Sequence, residues 1–437
     1  MNNRGSIHHK IFYYSLILVA ATLPFSLLAN SISIIALTLN WLIEGDYSKK
    51  IKSIKNNLLF YIFISFYVMH IIGMLYTTNI HDGFFELQKK LSLLVFPFVV
   101  FTSQKLNQQE IKNILKSFLL SILISSLICF INAFYRNHID PFPETDWLYF
   151  SYRDLTEIIG IQPTYLALFV SFAILISFYL IKEGSHVHSF FKKIFFYSIS
   201  FFLVVFLFMI SSRTEITAFL IILFSGIIYF FYKRNKLLKG LLIASISFLI
   251  FVSLICQIPV AKERFLQVFG IQNNDVWINQ YGKGKETQPD VRVLKWKCSW
   301  YAIRENWLFG VGTGDVQDIL QSQYKKNNFE TAFQQKFNSH NQFLETWIGL
   351  GVIGLFFFLS SLVVPCILFF QNKNYLYMAF IILFFTCCIT ESMLERQHGI
   401  IFYSLFTSLF AFHYTDKKYH KSISYLCKKK ILTDNNL

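Results

Sequence analysis

A handful of short stretches in this sequence carry side chains that could do chemistry. Arg213 stands in Ser211-Ser212-Arg213-Thr214-Glu215, a polar turn between two long apolar runs. Such a turn can hold an anion; the plainer account is an interfacial arginine that snorkels and pairs with Glu215. Arg292 opens a second stretch, Asp290-Val291-Arg292-Val293-Leu294-Lys295-Trp296, with Lys297 and Arg304 following. Guanidinium forks bind phosphate oxygens bidentately, so this set could cradle a phosphate, or it could rest on anionic lipid heads. Val293, Trp296, Trp300, Ile303 and Trp307 recur at helical spacing. They predict a helix to about Asn306 that lies on the rest of the protein by that stripe.

His340 is the most informative histidine. Ser339 and Gln342 read as a capping box, which predicts His340 in the first helical turn. The positive helix end there favours a neutral imidazole, as a general base requires; a polar cap is the plainer reading. In Phe309-Gly310-Val311-Gly312-Thr313-Gly314-Asp315, alternate glycines would let backbone N–H groups approach a ligand, or simply make a turn. No GK[ST] follows, so this is not a Walker loop. Fainter candidates are Gln162 and Tyr165 in Gln162-Pro163-Thr164-Tyr165, and Glu391, Glu395 and Arg396 in the charged turn ending at His398. His186 and His188 have no further ligands nearby in sequence. No spacing suggests a metal site, and no cofactor is expected.

The elements that must position these residues are membrane helices. Of 437 residues, 54% are hydrophobic and 15% charged, against about 25% charged in an average soluble globule. Runs such as Ile194–Ser212 and Leu241–Val260 are long enough to cross a bilayer. An all-α polytopic membrane protein follows, which excludes a soluble enzyme, a nucleic-acid-binding globule and a disordered scaffold. The net charge of +15 is scattered in short clusters between apolar runs, so nucleic acid is not an expected partner. Cys129, Cys256, Cys366, Cys387 and Cys388 lie in apolar runs and only Cys298 and Cys427 outside them, so no disulfide framework is implied.

Twelve spans are expected: Ile11–Ala29, Ser31–Ile43, Leu58–Tyr76, Phe84–Thr102, Ile114–Tyr135, Ile158–Ile181, Ile194–Ser211, Ile216–Tyr232, Leu238–Ile258, Phe343–Phe370, Tyr375–Thr390 and Gly399–Tyr414. The second is short, and the fourth carries Lys89 and Lys90. Ile11–Ala29 reads as an uncleaved first helix rather than a signal peptide, since no convincing cleavage site follows. Every second connection is basic, including Lys49–Lys55, Lys105 and Lys112, Lys182–Lys193, Lys233–Lys239 and the tail from Lys417. That alternation places both termini in the cytoplasm. The loop after span five is acidic, with Asp140, Glu144, Asp146, Asp154 and Glu157. Residues 1–258 then form spans one to nine, 259–342 one large, partly helical periplasmic loop, 343–414 the last three spans, and 415–437 a basic tail.

Taken together, the motifs resemble the O-antigen ligase/polymerase superfamily of bacterial inner-membrane glycosyltransferases. The resemblance rests on Arg213 at a span boundary, Arg292 with Trp296, the run from Asn306 to Asp315, and Ser339-His340-Asn341-Gln342 running on to Gly354. It covers about Ile194 to Phe370, and the Glu391–Gly399 turn looks like that of Bacteroidetes-type ligases. It implies a polyprenyl-diphosphate-linked glycan as donor and lipid A–core, a growing glycan or a protein as acceptor. It also implies His340 as general base, Arg213 and Arg292 on the donor diphosphate, inversion, and no metal. Arg304, Gln162, Tyr165, Glu391 and Arg396 are weaker substrate-binding candidates. Relatives often have His where this chain has Gln162, which puts the acceptor in question. A transporter or flippase would instead show two similar halves and a central cytoplasmic loop.

Overall fold

The computed structural model describes residues 3–139, 149–183, 190–257 and 288–412. These residues form helices and turns, with no strand among them. The tail 415–437, Asp140, Glu144, Asp146, His186, His188, Cys427 and the first part of the long loop lie outside the described residues.

The amino-terminal half contains α1 (Asn3–Thr22), α2 (Leu27–Glu44), α3 (Tyr47–Ile54), α4 (Leu58–Gly73), α5 (Ile80–Lys90), α6 (Ser92–Thr102) and α7 (Gln108–Ile139). After these come the short α8 (Tyr152–Thr156), then α9 (Pro163–Glu183), α10 (Phe190–Ile210), α11 (Arg213–Tyr232) and α12 (Leu237–Gln257). The polar segment contributes α13 (Gln288–Glu305), α14 (Val316–Lys326) and α15 (Glu330–Gln334). The described residues end with α16 (Gln342–Gln371), α17 (Tyr375–Thr390) and α18 (397–412).

Each of the twelve predicted apolar segments coincides with a helix or helix pair. Among the described residues, six helices are long and apolar enough to cross a membrane, or seven if the sharply bent pair α3 and α4 counts as one. This is a multi-pass membrane protein. Two boundaries differ from expectation. Ile11–Ala29 is not one helix: α1 stops at Thr22, Pro24 occupies the turn, and the Ser26 hydroxyl accepts the Ala29 N–H at 3.3 Å to start α2. The second segment, expected to be short, is therefore 18 residues long.

Helix α9 is the centre of the bundle, and most of its apolar window is buried. Phe169 and Phe172 on α9 pack at 4.8–5.6 Å against Phe402 and at 4.9 Å between Phe172 and Phe406 of α18. Phe118 of α7 and Phe380 of α17 close the same cluster. Among the described residues, Cys129, Cys298, Cys366, Cys387 and Cys388 are free thiols.

The polar cap is joined to the bundle through a break in α16. At Gly351 the backbone leaves the helix (φ 65, ψ −170). The Val352 N–H donates to Trp307 O at 3.0 Å, while Ile348 O and Gly349 O accept from Val311 and Gly312 at 2.9 Å each. A segment from the cap thus replaces the bonds that the broken helix loses. Asp315 completes the clasp, accepting the Thr78 and Asn79 N–H groups at 2.8 and 2.7 Å. The alternate glycines of 310–314 are accordingly a packing device, their backbone pressed on α4, α5 and α16. Gly349 and Gly351 of α16 make the receptor for this segment.

Gly351→Ala tests the clasp. An added Cβ would sit 2.1 Å from Leu308 O, and the backbone there lies in a region essentially reserved for glycine, a strain of about 1–3 kcal/mol for an L-residue. The variant should melt well below wild type in detergent. Gly349→Ala meets only the Val316 methyl at 2.9 Å and should lose much less.

Candidate active site

Two helix starts bring the arginines together. Ser211 turns left-handed (φ 55) and Ser212 is extended, so α10 reverses into α11 within two residues and Arg213 becomes the first residue of α11. The Ser212 hydroxyl donates to the Glu215 carboxylate, which is fully buried. Arg213, Thr214 and Glu215 line a small cavity whose other walls are Tyr152 of α8, Thr164 of α9, Thr390 of α17 and Arg292 of α13. The Thr390 hydroxyl donates to that of Thr214 at 2.9 Å, tying α17 to α11 at this level. Arg213 and Arg292, far apart in sequence, therefore face one space.

Helix α13 reaches this space on a face different from the one expected. Its packed side is Lys295, Cys298, Ser299, Ala302 and Ile303, a continuous i, i+3, i+4 stripe. Of the predicted buried stripe only Ile303 is buried; Val293, Trp300 and Trp307 are exposed. The physical reason is the setting: beside a bilayer, tryptophan is stable at the interface without protein cover.

His340 stands two residues before α16 and is tied to the cavity wall through Glu391, the residue after Thr390. The N-cap of α16 is Asn341, whose side chain accepts the Phe343 and Leu344 N–H groups at 2.9 and 3.1 Å. This corrects the predicted Ser339–Gln342 capping box and its placement of His340 in the first turn. Gln342 instead accepts the Leu394 N–H at 2.6 Å, which anchors the turn after α17. His340 adopts a left-handed conformation (φ 47), a strain of about 1–3 kcal/mol of the sort that gathers at functional sites. Ser339 holds it there: its N–H and hydroxyl both donate to the buried Glu345 carboxylate.

The imidazole is oriented from a distant element. Nδ1 lies 3.2 Å from Glu391 Oε2, and the Phe337 ring meets His340 edge-on at 5.8 Å. With Nδ1–H donated to the carboxylate, Nε2 is the ring atom left to accept a proton. Burial opposes ionisation of Glu391, but the hydrogen bond and charge of His340, with Arg292 and Arg396, outweigh it and hold the carboxyl below its usual range. The turn itself is pinned by charge. Lys90 Nζ, almost fully buried, donates to Glu395 at 2.8 Å and to Glu86 at 2.5 Å, and Lys89 joins the same two carboxylates.

The remaining candidates are spread around this centre. Tyr165 is buried, its hydroxyl donating to Ser392 O at 3.3 Å, and so supports the Glu391 turn from below. Gln162 is half-buried just before α9, two residues from Thr164 of the cavity wall. Arg396 is exposed beyond Glu395. Arg304 is exposed twelve residues along α13 from Arg292, about 18 Å away, and does not join the cavity. Sequence reasoning passed over Glu345, counted Lys295 only among the cations of a possible phosphate cradle, and treated Glu215 only as a partner for Arg213. The signal for Glu345 was an acid in the first turn of an apolar helix, and for Lys295 a cation on the packed stripe of α13.

A pH series isolates the Glu391 contribution. Its folded-state value is depressed, so its stabilisation is complete above the unfolded carboxylate value of about 4.3 and is lost as pH falls through the lower folded value. The gap in melting temperature between wild type and Glu391→Gln should be constant near neutrality and close in acid.

Comparison with known proteins bears on the same residues. A family described as O-Antigen ligase matches residues 198–359. An uncharacterized protein of Haemophilus influenzae is 26% identical over 151 residues, which are 34% of this chain and 37% of that protein. The chain thus covers well under half the length of that relative. The stretch similar to the O-antigen ligase family spans Arg213, Arg292 and His340.

Proposed function

We propose that this protein is a membrane glycosyltransferase that moves a glycan from a polyprenyl diphosphate to an acceptor hydroxyl, as an O-antigen ligase does. One observation carries the reading: two arginines from separate parts of the chain face one cavity, and Glu391, the residue after Thr390 of its wall, orients a histidine. His340 Nε2 takes the acceptor hydroxyl proton, and the oxygen attacks the anomeric carbon from the face opposite the leaving group. The bond from that carbon to the phosphate oxygen breaks, its electron pair leaves with the diphosphate, and the configuration inverts. Arg213 and Arg292 stabilise the charge that grows on the departing diphosphate. No general acid is needed at that oxygen, so a glycosidase-like carboxylate pair is not required.

In this reading the twelve helical segments all cross a bacterial inner membrane. The cap faces the periplasm and both termini the cytoplasm, in keeping with the alternation of basic connections. The acceptor is lipid A–core; a growing glycan or a protein hydroxyl would use the same chemistry.

Transfer by the purified protein from a polyprenyl-diphosphate glycan to lipid A–core is the test. Wild type should transfer and His340→Ala should lose about 100-fold or more. Arg292→Lys should also fall sharply, because a point charge does not replace a bidentate fork. A chelator should leave the rate unchanged. Lengthening of the lipid-linked glycan, without transfer to lipid A–core, would make the protein a polymerase; activity retained in His340→Ala would remove the base.

A further inference from the structure

Lys295 occupies a position where the fold calls for an apolar residue. It belongs to the packed stripe of α13 with Cys298, Ala302 and Ile303, and only 4% of its surface is exposed. Its ammonium lies 3.6 Å from the centre of the Phe337 ring, the ring that also meets His340. The charges acting on it are Glu391, from the turn after α17, and Arg292, one turn back on its own helix. Glu391 is engaged by His340, and among the described residues no carboxylate forms an ion pair with Lys295. A buried ammonium without a counter-ion is expensive, so a sequence selected only for folding would not keep one here.

The surroundings say what would complete it. Lys295 shares Arg292 and Glu391 as neighbours with the arginine cavity and with His340, so an anion held by Arg292 comes within its field. We propose that Lys295 is the third cation of the donor site and binds the diphosphate of the lipid-linked donor together with Arg213 and Arg292. This rests on the functional reading above and adds a residue to it. In the free protein, burial outweighs Glu391, and Arg292 adds to it, so that the ammonium is pushed down to about 7. A polyanion nearby favours the charged form, and binding above neutral pH takes up a proton. As the glycosidic C–O bond breaks and its electron pair moves onto the phosphate oxygen, the added charge stabilises the leaving group.

The test is calorimetric binding of farnesyl diphosphate to the full chain in detergent at pH 8, in two buffers of different ionisation enthalpy. Wild type should bind with proton uptake. Lys295→Met should bind about tenfold or more weakly with the uptake reduced, yet melt at a higher temperature, because a buried charge has been removed. Lys295→Arg should keep most of the affinity without that uptake. Binding and uptake unchanged in Lys295→Met would overturn the proposal, as would a lower melting temperature with unchanged affinity. Arg292→Ala separates the two readings. Affinity lost in Arg292→Ala but kept in Lys295→Met sinks the lysine alone. No binding by wild type, or full binding by Arg292→Ala, sinks the diphosphate site and the lysine with it.

Discussion

Everything at the cap end of this bundle depends on how α16 satisfies its backbone where it breaks. Peptide groups in the hydrocarbon core of a bilayer, or buried in protein, have no water to turn to, so a broken helix must find other partners. Here Trp307, Val311 and Gly312 supply them, bond for bond, at Ile348, Gly349 and Val352. Roughly twenty residues remain after Gly351, about 30 Å of helix, which matches the hydrocarbon core. The turns before the break belong to the cap. Because 307–312 connects α13 to α14, this clasp fixes where α13 lies, and with it Arg292 and Lys295 relative to His340.

The second constraint is charge in a poorly hydrated place. Lys90, Glu86 and Glu395 are held within a few ångströms of one another, and breaking one member of such a set typically costs about 3–5 kcal/mol. That pairing makes the turn after α17 rigid, and the turn presents Glu391 to His340. Glu345 performs the same service from the other side through Ser339 and Ser392, the latter at 3.5 Å. The histidine is thus placed by carboxylates and hydroxyls on both flanks, although its own backbone is strained. The stability invested in the surroundings is what sustains that strain.

Much of the fold was legible in the sequence, because hydropathy is a local property. An apolar run of bilayer length has one stable option, helix, and the twelve runs took it, though some of them as two helices rather than one. Arg213, Arg292, His340 and Glu391 could be singled out for a related reason: charged or titratable groups at the ends of such runs are costly unless used. Reading failed where two solvents compete. The tryptophan stripe of α13 was taken as its buried face on the assumption that the other side meets water, whereas beside lipid the aromatic side can stay uncovered.

The sequence alone therefore determined the class of protein, its helical segments and most of the groups able to do chemistry. Tertiary structure decided which of them meet. Glu395 joins Lys90 across 305 residues, and His340 joins Glu391 across 51. It also decided that the alternate glycines make a clasp, that Asn341 rather than Ser339 caps α16, and that Arg304 stands apart from Arg292. These outcomes depend on where helix ends converge, and convergence is set by packing between segments distant in the chain. No periodicity or spacing within one segment encodes it.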